Sequence, residues 1–255
     1  MAQDKRETFG EGYFEKGLTR TDKEAYRGYT WEQTGPYLGV MARTLQSVFH
    51  PHKVLDIGCA KGYLVSLLHE LGIDAHGVDV SEYALSCAPP SIKEKLRLLD
   101  IEQEVFPFSP AQFEVATVLE IVEHLHTFDH LLEELRRVVC QGGYVLVTTP
   151  VPQSKAARGD RTHINVHPQA FWSALFRRHG FSCVQDTLWK NFKRQFLCEF
   201  AKVTDYPPAT MAGKILLRSG PLGRMLRNHL FPYISYFSPW RESQFMLFCN
   251  NAQYK

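Results

Sequence analysis

Between residues 53 and 150 the apolar positions follow two alternating rhythms. Short β-branched and apolar runs, KVLDIG (53–58), AHGVD (75–79), LRLLD (96–100), FEVATVLE (113–120) and GGYVLVTTP (142–150), predict five strands. Among them, YLVSLLHELG (63–72) predicts a helix closed by Gly72, and SEYALSCA (81–88) one begun by a capping Ser81. TFDHLLEELRRVV (127–139) carries apolar residues at 128, 131, 132, 135, 138 and 139, the stripe of an amphipathic helix. Strands alternating with helices imply parallel strands joined by right-handed crossovers, an α/β, doubly wound sheet. Further on, PQAFWSALFRRHGF (168–181) predicts a helix stopped by Gly180, residues 181–189 a strand, and ESQFMLFCN (242–250) the closing strand. Residues 190–242 are too many for a hairpin loop in a compact domain and are expected to cap the carboxyl edge of the sheet.

Ahead of the core, residues 1–50 are aromatic and turn-rich, with Tyr13, Phe14, Tyr26, Tyr29 and Trp31 leading into a helix expected over 34–49. The organisation expected is therefore an N-terminal lid (1–50), a core (51–190), a cap insertion (191–243) and a closing core strand (244–255). The 255 residues are 44% hydrophobic and 22% charged, which excludes a disordered or collagen-like chain. No apolar run approaches the roughly 18–20 residues a membrane span needs. The basic KILLRSGPLGRMLRNHL (214–230) suggests an interfacial helix, but Gly220, Pro221 and Gly223 break its period. The first twenty residues carry both charge signs and read as neither a secretory signal nor a transit peptide, so a cytoplasmic protein is expected. Six scattered cysteines (59, 87, 140, 183, 198 and 249), with no CxxC pair, read as free thiols.

Net charge is +2 overall but uneven: +1 over residues 1–53, −9 over 54–149 and +10 over 150–255. An acidic middle before a basic tail suits cationic ligands or metals in one place and anionic groups in another, or else a basic solvated face with no partner. Within the acidic part the strongest signal is VLDIGCAKGYL (54–64): a strand ending at Asp56, a turn through Gly58, Cys59, Ala60, Lys61 and Gly62, then a helix. Glycine admits backbone close to a ligand, and a helix N-terminus offers free N–H groups. The turn lacks the GxGxxG of dinucleotide folds, and no GxxxxGK[ST] phosphate loop occurs. Asp79 ends the next strand, where a carboxylate can accept from both hydroxyls of a ribose; Asp100 and Ile101 follow the third and could read an adenine edge.

In that order, LDIGCAKG, GVD, LLDIE, FEVATVLEIVEHL and ELRRVVCQGGYVLVTTP resemble the motifs of class I S-adenosylmethionine-dependent methyltransferases, over about residues 50–190. Ala60 stands where many members carry glycine. The resemblance implies a Rossmann-like sheet of seven strands, the last antiparallel. It also implies a cofactor site in which Asp56, Gly58 and Gly62 surround the methionine part, Asp79 takes the ribose and Asp100 with Ile101 the adenine, with Cys59, Val80 and Leu119 as further cofactor-binding candidates. Tyr13 and Tyr29 are further candidates, since aromatic rings attract a sulfonium; Arg27 could pair with the cofactor carboxylate or simply be solvated.

Past the fourth strand, Glu120-Ile121-Val122-Glu123-His124 sets two carboxylates three apart with an imidazole beside them. THINVH supplies His163, or failing that His167, after the fifth strand and so at the same edge. Such a donor set suits Mg²⁺, Mn²⁺ or Fe²⁺. The segment is similar to the metal site of small-RNA 3′-end 2′-O-methyltransferases and to the ExLEH segment of ubiquinone-pathway O-methyltransferases. Glu120, Glu123, His124 and His163 are thus metal-ligand candidates, and His124, His163 and Glu123 catalytic candidates; ligand and base roles are not separable at this level, and Glu123 and His124 could also act without a metal. The expected activity is methyl transfer to an oxygen of a small molecule such as a sugar, nucleoside or secondary metabolite, by a monomer or homodimer. RNA 3′-end 2′-O-methylation, N-methylation and a non-enzymatic cofactor-binding scaffold are the alternatives.

Overall fold

The computed structural model describes residues 5–16, 28–200, 202–203 and 243–251. Expectations for Tyr26, Arg27 and residues 204–242, most of the predicted cap, lie outside them. Seven strands form one sheet: β1 (Lys53–Ile57), β2 (Asp74–Asp79), β3 (Leu96–Leu98), β4 (Phe113–Leu119), β5 (Val139–Pro150), β6 (Phe181–Cys183) and β7 (Ser243–Asn250), in the order β3-β2-β1-β4-β5-β7-β6. β1 to β5 pair in parallel, and β7 runs antiparallel to both β5 and β6. The strand order reverses between β1 and β4. A crevice opens there beyond the carboxyl ends of the strands, the usual ligand position in open α/β sheets.

The central strands are buried on both faces, which is why they read as continuous apolar runs rather than alternating ones. Helices α1 (Lys5–Thr8) and α2 (Glu11–Lys16) precede the long α3 (Trp31–Phe49). α4 (Tyr63–Glu70) and α5 (Glu82–Ser86) cross from β1 to β2 and from β2 towards β3, and the Ser81 hydroxyl caps α5 by accepting from Ala84 N–H. α6 (Asp129–Val138), the short α7 (Lys155–Gly159), α8 (Gln169–Arg178) and α9 (Thr187–Phe200) complete the helices described. α3 buries Leu38, Met41 and Leu45 against α4 and α9 on one face of the sheet. α6 and α8 bury Leu131, Leu135, Trp172 and Phe176 on the other.

One expectation is corrected. The strand expected over 181–189 ends at Cys183, and Thr187–Phe200 forms a helix. Asp186 accepts from the N–H groups of Leu188 and Trp189 and so starts the helix. Trp189, Phe192, Phe196 and Phe200 then repeat at steps of three and four and stack in series towards α3. The start of the supposed cap is therefore core. Among the described residues no helix is long and apolar enough to cross a membrane, and all six cysteines are free thiols.

Candidate active site

The turn after β1 needs glycine at two places for different reasons. Gly58 has φ +71°, and a Cβ there would overlap the Ile121 side chain that follows β4. Gly62, also at φ +71°, would press a Cβ against Ile92 and Leu96, so its contacts are with the packing beneath the turn. Asp79 holds the turn from the neighbouring strand: Oδ2 accepts from Ala60 N–H at 2.7 Å and Oδ1 from Ser81 N–H at 2.8 Å. Asp56 accepts from the Thr117 hydroxyl at 2.6 Å. Burial pushes the Asp56 carboxyl up to about 7 and the Asp79 carboxyl up to about 6, with the hydrogen bonds opposing that shift. Asp100 is occupied differently: both its oxygens lie 2.9 Å from Lys5 Nζ, and Glu102 N–H donates to Oδ1 at 3.0 Å.

At the end of β4, Glu120 adopts φ +55°, an uncommon conformation for a non-glycine residue. Its backbone N–H donates to Thr148 Oγ1 at 3.1 Å, and burial pushes its carboxyl up to about 7, against the opposing influence of the Thr148 and Ser243 side chains. Glu123 is wholly buried. Neither of its oxygens has a hydrogen-bond partner of sound geometry among the described residues; the nearby Thr149 hydroxyl stops short of one. Burial, then the adjacent Glu120 charge, hold the Glu123 carboxyl well above the usual range. His124 is held from the loop after β5: its Nδ1 lies 2.8 Å from Thr162 Oγ1 and 3.3 Å from Thr162 O. Burial and the adjacent His163 push the His124 imidazole down to about 4, so it is neutral at ordinary pH. The backbone joins the two loops, since Ile164 and Asn165 N–H donate to Glu123 O at 2.9 and 3.0 Å and Asn165 Nδ2 donates to Leu125 O.

A donor atom each from Glu123, His124 and His163 lies within 4.8 Å of the others. Glu120 stands outside that group. His167 does too: its ring stacks on Phe171 at 3.9 Å, and its carbonyl accepts from Trp172 Nε1 and Gln244 Nε2. Of the two histidines of THINVH, His163 is the one at the cluster.

One cavity of about 370 Å³ joins these parts. Asp56, Gly58, Asp79, Val80, Asp100 and Ile101 line it, together with Leu119, Glu120, His124 and His163. Tyr13 and Tyr29 line it as well, whereas Cys59, Gly62 and Glu123 lie behind its wall. The N-terminal segment of α1 and α2 closes over this opening through ties to the loops after β1, β2, β3 and β5. Lys5 pairs with Asp100 and Glu102, Ser81 Oγ donates to Phe9 O, Lys61 pairs with Glu15 at 2.6 Å, and Tyr13 Oη donates to Asp160 Oδ2 at 3.2 Å. Lys5, Asp160 and Thr162 were absent from the sequence reading. Each acts across 38 or more residues on its partner at the site, and no local motif marks such a pair.

A sequence profile described as a methyltransferase domain matches residues 31–186. The ubiquinone biosynthesis O-methyltransferase of Thiobacillus denitrificans is 32% identical over 101 residues, which are 38% of this chain and 44% of that relative, so the chain spans less than half of its length. The cyclase SpnF shares the fold at a TM-score of 0.54 and 19% identity, over 92% of this chain and 86% of its own. A SAM-dependent methyltransferase from Archaeoglobus fulgidus does so at 0.53 and 16%, over 83% and 94%. The profile covers more than half of the chain, and the strand order agrees with it. The chain belongs to the class I S-adenosylmethionine-dependent methyltransferase family.

Proposed function

We propose that the protein transfers a methyl group from S-adenosylmethionine to a hydroxyl oxygen of a small-molecule acceptor. The observation that carries this reading is the shared cavity, with Asp79, Asp100 and Ile101 at one side of the strand crossover and His124 and His163 at the other. Asp79 keeps a lone pair on each oxygen for the two ribose hydroxyls after receiving its backbone donors. Ile101 and Leu99 offer apolar walls for a purine, and Asp56 with the Gly58 turn receives the amino-acid end. Phe9, Phe14, Tyr29 and Leu38 surround the space and exclude water, so the cavity positions two reactants for an in-line displacement. Neutral His124 offers a ring nitrogen to the acceptor hydroxyl, to take its proton as the oxygen attacks the methyl carbon and the sulfonium leaves as a thioether. The relative's name as an O-methyltransferase supports an oxygen acceptor.

The donor set also fits a divalent cation. Glu123 is a buried carboxylate without a hydrogen-bond partner among the described residues, beside two imidazoles, a combination of one oxygen and two nitrogens that suits Mn²⁺ or Fe²⁺ better than Mg²⁺. Glu123, His124 and His163 would hold the ion, His124 then serving as a ligand in place of the base, and the ion would supply a Lewis acid that acidifies the acceptor hydroxyl. Transfer of labelled methyl to a panel of hydroxyl compounds, read beside calorimetry with S-adenosylhomocysteine, tests the reading. Binding with oxygen methylation is expected. A protein that does not bind S-adenosylhomocysteine is a scaffold, and one that methylates only amines refutes the oxygen assignment. Full turnover after exhaustive chelation would remove the ion and leave the rest standing.

A further inference from the structure

We infer that Asp160 and Thr162 form a positioning pair that fixes the tautomer of His124, holding the proton on Nδ1 so that the Nε2 lone pair is the one available to the site. This deepens the proposed function and rests on it for the use made of Nε2. The argument for the tautomer itself is independent of any reaction. A threonine hydroxyl has a single proton to give. Thr162 Oγ1 lies 2.6 Å from Asp160 Oδ1, an acceptor, and the same oxygen receives Thr162 N–H at 2.8 Å. With its proton committed to Asp160, Oγ1 can only accept at its 2.8 Å contact with His124 Nδ1. The second group near Nδ1, the Thr162 carbonyl at 3.3 Å, is also an acceptor. Both contacts require N–H at Nδ1.

Asp160 is suited to set this chain of donors. It is buried, it stands opposite His163 at 3.9 Å, and its Oδ2 receives the Tyr13 hydroxyl from α2. Tyr13 thereby ties the N-terminal helices to the same carboxylate that orients the imidazole. A neutral imidazole presents one lone pair, and the hydrogen bond at its other nitrogen decides which. Phe9 and His163 contact the His124 ring edge-on, at centroid distances of 5.5 and 4.8 Å, and limit its rotation. Thr162 acts through His124, and Asp160, which also lines the cavity, acts on His124 through Thr162.

The test is ¹⁵N NMR of the full chain with labelled histidine, the His124 signals being assigned by their loss in His124→Gln. The expected spectrum shows Nδ1 protonated and Nε2 bare in the wild type. Thr162→Val should shift it towards a mixture of tautomers, and Thr162→Ser should restore it. Turnover should fall roughly 10–100-fold in kcat for Thr162→Val, with the KM for S-adenosylmethionine unchanged and with recovery in Thr162→Ser. Protonation at Nε2 in the wild type, or a Thr162→Val spectrum identical to it, overturns the inference. If Thr162→Val does not fold, the wild-type spectrum and Thr162→Ser still decide. Failure of the methyl-transfer reading would appear instead as absent S-adenosylhomocysteine binding with the tautomer intact.

Discussion

The acids at the two ends of the cavity are satisfied differently, and the difference lies in Glu123, behind the wall of the β4 end. On the β1–β2–β3 side each carboxylate has donors: Thr117 on Asp56, two backbone amides on Asp79, and Lys5 with an amide on Asp100. On the β4 side Glu123 is more deeply buried than any of them and receives no hydrogen bond of sound geometry among the described residues. A buried carboxylate without donors costs several kcal/mol in principle, and proteins retain such groups chiefly where a ligand completes them. The contrast separates a preformed binding surface, whose acids are held in place by the loops they organise, from a reactive end where Glu123 has no donor among the described residues.

The largest effect expected from breaking this contrast is on the binding end. Asp79→Ala removes the acceptor for two ribose hydroxyls and strands the Ala60 and Ser81 amides. Two hydrogen bonds to a charged group, at about 1.5–3 kcal/mol each, put the loss of S-adenosylhomocysteine affinity at 100-fold or more by calorimetry. A loss below tenfold would mean that the ribose sits elsewhere.

Glu123→Gln probes the other end and should have the opposite sign on stability. Removing the uncompensated carboxylate should stabilise the ion-free protein by about 1–3 kcal/mol, a Tm rise of several degrees, while turnover is lost. Added Mn²⁺ should raise the Tm of the wild type and leave that of Glu123→Gln unmoved. Equal shifts in both would show that the ion binds away from the cluster.

Gly58→Ala tests the join between the two ends. Its left-handed backbone and the overlap with Ile121 should cost about 2 kcal/mol of stability in chemical denaturation. A neutral substitution would mean that the turn can move away from Ile121.

The mildest effect is the pH dependence of cofactor binding. Asp79 is raised from 3.8 to about 6 by burial, and ribose hydroxyls donate to its ionised form. S-adenosylhomocysteine affinity should therefore rise about tenfold between pH 5 and 7 and level off above, because below pH 6 the proton must first leave. The sign reverses for the cofactor-free protein. Asp56 and Asp79, both raised on folding, make it less stable as pH climbs from about 4 towards 7.

The binding end was the more legible of the two in sequence, and for a physical reason. Asp56, Asp79 and Asp100 each follow a short apolar run, so the parallel sheet that those runs predict carries them to one edge. The reactive end is assembled from the β4 loop and the β5 loop, and its details depend on pairing between residues far apart in the chain. Sequence brought His163 and His124 to the same edge, but not the Thr162 hydroxyl on Nδ1 or Asp160 behind it. The aromatic run 189–200 was missed as a helix because its length was assigned to a strand and a cap. The step of three and four among Trp189, Phe192, Phe196 and Phe200 was the signal that could have found it. Lys5 on Asp100 had no sequence signal at all, since an isolated lysine near the N-terminus looks like any solvated one.

The central claim is that one cavity holds the adenosyl group on the β1–β3 acids and presents its sulfur to the His124 end. A crystal structure with S-adenosylhomocysteine tests it most directly. The account predicts both ribose hydroxyls on Asp79 and the sulfur facing the space before His124 and His163. A ribose bound away from Asp79, or a sulfur turned from the imidazoles, would contradict it.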